Sequence, residues 1–170
     1  MMTPNAMANF IIGQIQGIDN PQNAVNTFYS ALCQYIENNT EVLYSWSATT
    51  PPPISTPDPM VVLNCKVKTT GTMTPSGADN PSAANSMFSA SLNQNAALWQ
   101  VVWPSGFTLT PAFIIPTITI TPSGATDMTS AWTAVCTQII AGLKAATPTA
   151  TGTHGSFTVP TPGAIFTQIL

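Results

Sequence analysis

The side chains with the most chemical reach in this 170-residue sequence are one histidine, three cysteines and six carboxylates. His154, in TGTHGS, reads as a loop histidine, with no Cys, Asp or Glu near enough in sequence to complete a metal site. Cys33, Cys65 and Cys136 are odd in number and lack CxxC spacing, so neither a disulfide scaffold nor a zinc site is signalled. They read as reduced, buried thiols. Glu37 and Glu41 stand four apart and would share one helix face, where paired carboxylates could support hydrolysis. Like charges at that spacing describe a solvated patch better. Ser76, Ser105 and Ser123 each sit in PSG, which lacks the first glycine of a GxSxG elbow and reads as a turn. Asp19, Asp79 and Asp127 read as helix-start residues, and Asp58 is fixed between Pro57 and Pro59. No GxGxxG or GxxxxGK[ST] occurs. The expectation is no enzyme, no cofactor and no metal.

Charge narrows the classes further. Only 5% of residues are charged, against about 25% in ordinary globular domains. Arginine is absent, and Lys66, Lys68 and Lys144 cannot build a cationic track matched to phosphate spacing, which argues against nucleic-acid binding. Residues 80–126 and 145–170 carry no charged side chain apart from what His154 contributes. Such surfaces repel each other poorly, so the sequence predicts a subunit soon buried against copies of itself or other partners. Phe10-Ile11-Ile12 is broken by Gly13 and Gln14 with no basic residue before it, unlike a secretory signal. Pro111 and Pro116 interrupt the best apolar window, so no membrane insertion is expected.

The elements that position these residues announce themselves through a repeat. Residues 19–32 (DNPQNAVNTFYSAL) and 79–92 (DNPSAANSMFSASL) share Asp-Asn-Pro, then Ala, Phe and Leu at four-residue intervals. Ala24, Phe28 and Leu32, like Ala84, Phe88 and Leu92, fall on one helical stripe. Asn20 and Asn80 are predicted N-caps, with Pro21 and Pro81 at the first helical position. A third stripe, Trp132, Val135, Cys136, Ile139, Ile140 and Leu143, follows Asp127. Gly17, Gly77 and Gly124 precede the three Asp residues, so a turn, a cap and a helix recur three times. Val61, Leu63, Cys65 and Val67 alternate with polar residues and predict a strand whose other face carries both Lys66 and Lys68. In FTLTPAFIIPTITIT the apolar phase switches between Phe113 and Ile114, as at a bulge or where two strands meet near Pro116. A short strand is predicted at Phe157–Val159. The fold class is α+β, a single domain over residues 1–170 with three amphipathic helices on a small mixed sheet.

Three regions are left as interface candidates. Residues 47–59, SATTPPPISTPDP, form a Pro-rich arm or surface loop, with Pro51, Pro52, Pro53, Ile54, Pro57 and Pro59 available to a partner. Trp99 and Trp103 stand four apart near a helix end and are candidates for the core or a subunit interface. With Trp46 and Trp132 they also raise an alternative, an adhesin-type or glycan-binding module with a stacking platform. The C-terminal tail, residues 161–170, brings Ile165, Phe166, Ile169 and Leu170 without a charged gatekeeper and must be covered. A neighbouring subunit's groove is favoured over the chain's own domain, because the strand ending at Val159 is followed by Pro160.

The uncharged Thr/Ser/Asn/Ala/Pro texture, the TPPPISTPDP arm, the TPSGA turns and the Met1-Met2 start resemble small structural proteins of tailed-phage virions. The resemblance spans the composition of the whole chain and assigns no functional residue. It implies a non-enzymatic tail, neck or head accessory subunit, assembled in a bacterial cytoplasm and working in the virion. Its partners would be copies of itself, other virion structural proteins, or both.

Overall fold

A computed structural model describes residues 2–47, 60–75, 77, 80–102, 107–121, 123–154, 157–159 and 166–169. The helices are α1 (Pro4–Ile15), α2 (Pro21–Asn39), α3 (Pro81–Ala96) and α4 (Met128–Lys144). The strands are β1 (Glu41–Ser47), β2 (Met60–Lys68), β3 (Gln100–Val102), β4 (Phe107–Ile114), β5 (Thr147–His154), β6 (Phe157–Val159) and β7 (Phe166–Ile169). The class is α+β, as the sequence predicts. After α1, the order helix, strand, strand recurs three times among the described elements, and β7 follows.

All four helices start on the same chemistry. Asn20 and Asn80 accept from the backbone N–H of Asn23 (3.0 Å) and Ala83 (2.9 Å), and Asp127 accepts from that of Ser130 (2.8 Å). Each cap satisfies one of the amide donors that a helix start leaves without an intrahelical partner. Gly17, Gly77 and Gly124, just before those caps, take left-handed φ values of 81°, 60° and 67°. That region is open to glycine at no steric cost and explains the recurring turn. The sequence reading missed α1, although Thr3-Pro4 repeats the cap-then-proline signature and Thr3 accepts from the Ala6 N–H at 3.4 Å.

The apolar stripe of α2 (Phe28, Leu32, Tyr35 and Ile36) meets Met7 and Ile11 of α1, which also packs on α4. Cys136, Ile139 and Leu143 of α4, with Val42, Cys65 and Val67 from β1 and β2, complete the same core. Burying each large side chain is worth about 1.5–3 kcal/mol, so this cluster dominates stability.

The described ladders are antiparallel, where the sequence reading had a mixed sheet. They form two sheets, ordered β3-β2-β1-β7 and β4-β5-β6. Cys65 and Val67 are buried while Lys66 and Lys68 are exposed, the alternation expected of β2. The phase switch after Phe113 has a simple cause: β4 ends at Ile114, and residues 115–121 cross to the helices and bury Ile118 and Ile120. Glu41 does not continue the helix of Glu37. Helix α2 stops at Asn39, and Glu41 opens β1, where it pairs across the ladder with Lys66 at 2.9 Å. Both partners are well exposed, so solvent screening holds that ion pair below about 1 kcal/mol. His154, predicted on a loop, closes β5 in register with Phe107 on one side and Phe157 on the other.

The tail differs most from expectation. Phe166–Ile169 pairs with β1, Phe166 opposite Ser45 and Ile169 opposite Val42, as an edge strand of the chain's own sheet. A neighbouring groove is not needed to satisfy its backbone, because β1 offers a free row of N–H and C=O groups a few ångströms away. The Pro160 break lies between two strands of different sheets and so does not end the fold.

Candidate functional site

The N-terminal half of α2 and the middle of α3 carry the two copies of the repeated stripe, and those copies face each other. Phe28 lies at the centre, with ring centroids 5.4 Å from Phe88 and 5.0 Å from Trp132 of α4. Tilted pairs at these separations add about 0.5–1.5 kcal/mol beyond area burial. Ala24 and Ala84 occupy the shared position one turn earlier, and such small side chains leave space between the helices. The result is a cleft of about 550 Å³, walled also by Ile15, Met73 and Pro75. That volume falls in the range of small-ligand and side-chain pockets.

Its polar contribution comes from Asn85, Ser91, Gln94 and Thr74, and no titratable side chain is among the described residues that line it. The cleft can desolvate uncharged, apolar groups and offer a few amide or hydroxyl hydrogen bonds.

A second cluster combines polar groups with a thiol. Tyr29 donates to the Thr70 carbonyl at 2.8 Å, and the Trp99 indole N–H reaches both the Tyr29 hydroxyl (3.2 Å) and the same carbonyl (3.3 Å). One turn on, burial pushes the Cys33 thiol above its ordinary value, only partly opposed by hydrogen bonds with Thr69 and Tyr29. Burial also raises Tyr29, and pushes Cys65 and Cys136 up to about 12. A thiol held protonated at neutral pH is a poor nucleophile and a poor metal ligand. Glu37 is committed as well, accepting from the Thr69 N–H and hydroxyl at 2.7 Å each. This cluster is a tie between α2 and residues 69–70.

The sequence-predicted interface residues do not gather. Trp99 is 2% exposed with its indole N–H satisfied internally, so it is core and cannot serve a sugar or a neighbour. Phe166 and Ile169 lie on β7. Pro51, Pro52, Pro53, Ile54, Pro57, Pro59, Trp103, Ile165 and Leu170 lie outside the described residues. The arm's attachment is nevertheless fixed, because Ser47 and Met60 are the last paired residues of the β1–β2 ladder. Sequence reasoning assigned Phe28 and Phe88 to separate core stripes and missed the cleft. The signal was the repeat itself, since two equal stripes with alanine at the same step can oppose one another around a gap.

Comparison with protein-family models, with curated proteins and with solved structures finds no match to this chain.

Proposed function

We propose that this chain is a non-enzymatic assembly subunit, and that the assembly is a tailed-phage particle in which it serves as a tail, neck or head accessory component. One observation carries the assembly reading. Met87, Leu98 and Ile114 are 48%, 58% and 62% exposed, and all three fall within residues 80–126, the longer charge-free stretch. Apolar surface without neighbouring charge is costly to leave in water and lacks the repulsion that keeps free monomers apart. Burial against copies or other structural proteins removes both problems. The placement in a phage particle rests on the compositional resemblance.

Sedimentation velocity across a hundredfold concentration range tests the first part, with growth in mean mass expected. A sharp monomer at every concentration that also fails to co-sediment with particles would overturn it. Mass spectrometry of purified particles from cells carrying the gene tests the second part, with this chain expected as a stoichiometric component.

A further inference from the structure

The cleft and the Pro-rich arm fit one another chemically, yet they lie at opposite ends of the chain's own fold. Residues 66–73 run antiparallel to α2: Lys66 is opposite Glu41, Thr69 bonds to Glu37, Thr70 bonds to Tyr29, and Met73 lines the cleft with Ala24. Strand β2 is continuous from Met60 to Lys68, so Met60 and its partner Ser47 lie beyond the C-terminal end of α2, on the side away from the cleft. Six strand steps of about 3.3 Å beyond Lys66, opposite Glu41, and the length of α2 back to Ala24 place that hairpin end about 45 Å from the cleft. Residues 48–59 leave and return at one point, so they can extend at most about 20 Å from it. The arm cannot reach the cleft of its own chain.

Resting on the assembly reading, we propose that residues 48–59 of one copy occupy the aromatic cleft of a second copy, joining the chains head to tail. In the extended geometry that prolines favour, three residues make a turn, which aligns Pro51, Ile54 and Pro57 on one apolar face and Pro52, Ser55 and Asp58 on another. Aromatic-walled grooves take such segments by packing proline and aliphatic side chains against ring faces. Phe28, Phe88 and Trp132 provide the rings. Backbone carbonyls of a segment in that geometry have no internal partner, and Asn85 and Gln94 supply amide N–H groups along the cleft. The described lining is uncharged, as is every residue of the arm except Asp58, which the apolar face leaves toward solvent. A contact between two different surfaces closes into a ring or continues as a filament.

The test uses full-length chains carrying Ile54→Asp in the arm or Met87→Asp at the exposed rim of the cleft, both checked for unchanged thermal melting. Each variant alone should associate about tenfold or more weakly than the wild type, the loss expected of a central anchor. An equimolar mixture pairs one intact arm with one intact cleft, and it should stop at a heterodimer. A synthetic peptide of residues 48–59 should bind the Ile54→Asp protein and not the Met87→Asp protein. If both variants assemble like the wild type, the arm inference falls and the assembly reading stands. If the wild type is monomeric and the peptide does not bind, both fall. A monomeric wild type whose cleft binds the peptide would mean that a different protein supplies the strand, which overturns the second-copy assignment.

Discussion

Helices α2 and α3 begin on the same repeated pattern, Asp-Asn-Pro followed by Ala, Phe and Leu at four-residue intervals, and end as different kinds of structure. Both start on asparagine and proline, and both align Ala, Phe and Leu on one stripe. Helix α2 then buries Phe28, Tyr29, Ala31, Leu32, Tyr35 and Ile36, whereas among the described residues of α3 only Leu92, Asn95 and Ala96 are buried. Sixty residues apart, Cys33 corresponds to Asn93 and Tyr35 to Asn95, and this change decides the outcome. Asn93 accepts the Ile118 N–H and donates to the Ile118 carbonyl, both at 2.8 Å. Asn95 does the same to Thr72, accepting at 3.1 Å and donating at 2.8 Å. On α4, Gln138 accepts from the Thr121 N–H at 2.8 Å and reaches its carbonyl at 3.4 Å. A side-chain amide presents one donor and one acceptor in the spacing of a peptide group, so each clasp stands in for a strand neighbour. One helix is held by apolar burial and its counterpart by amide clasps, which shows how a chain with so few charges can still fix its surface elements.

The sharpest way to break this contrast is to truncate the same position in both copies. Phe28→Ala should cost roughly 3–5 kcal/mol, because it opens a cavity beneath two aromatic neighbours. Phe88→Ala, at a partly buried site on the cleft wall, should cost about half as much. Urea unfolding of the two variants measures the difference, and equal losses would make α3 as much a core helix as α2.

The clasps come next in size. Asn95 is 7% exposed, so Asn95→Leu leaves the Thr72 N–H and carbonyl without their partner and should destabilise by about 1–3 kcal/mol. Asn93→Leu should do the same at Ile118, with faster amide exchange at that residue as the local readout. Gly71 sharpens the case: its φ is 115°, and a Cβ there would collide with the Asn95 side-chain oxygen. Gly71→Ala should therefore cost roughly 2 kcal/mol or more, whereas Gly17→Ala, left-handed but in open space, should cost about 1 kcal/mol. If the two glycine variants melt alike, the Asn95 clasp contributes little.

These contrasts also mark where the sequence was readable. Caps, prolines and left-handed glycines act within a few residues, so three of the four helix starts could be placed from local chemistry, and β2 from its alternation. The clasps join residues 17 to 25 positions apart, and nothing local distinguishes Asn93 from any other polar residue on a helix. The docking of β7 on β1 joins Val42 to Ile169, far apart in the chain, and depends on which strand edge remains free, a property of the finished sheet. The cleft was half visible: its stripes were recognised, but their opposition is tertiary.

The buried thiols separate the two regions by pH. Cys136 and Cys65 belong to the apolar core, and burial raises each from an ordinary value of 9.0 to about 12. The unfolded chain therefore ionises them first, so their contribution is fully present below pH 9.0 and is lost as pH rises toward about 12. Stability should fall over that window, and Cys136→Ala should flatten the fall, as denaturant titrations at successive pH values would show. The α3 clasps involve no titratable group and should not contribute to it. An unchanged slope in Cys136→Ala would mean that other groups carry the alkaline loss.

The smallest effect lies at the three caps that share one geometry. Asn20 and Asn80 accept through a neutral amide oxygen, and Asp127 through a carboxylate, at 3.0, 2.9 and 2.8 Å. The hydrogen bond from Ser130 holds the Asp127 carboxyl below its ordinary value, and the positive end of the helix dipole favours the same charge. A depressed carboxyl stabilises the fold above its unfolded pKa, and that stability is lost as pH falls through the lower, folded value. Acidification should therefore loosen the start of α4 while leaving the starts of α2 and α3 unchanged. Amide exchange at Ser130 should quicken at low pH relative to Asn23 and Ala83, once the intrinsic pH dependence of exchange is removed. Asp127→Asn should keep the cap, as asparagine does in the other two helices, and abolish the difference. If the difference survives that substitution, it arises elsewhere in α4, and the charge at the cap is incidental to how the third copy of the repeated start is held.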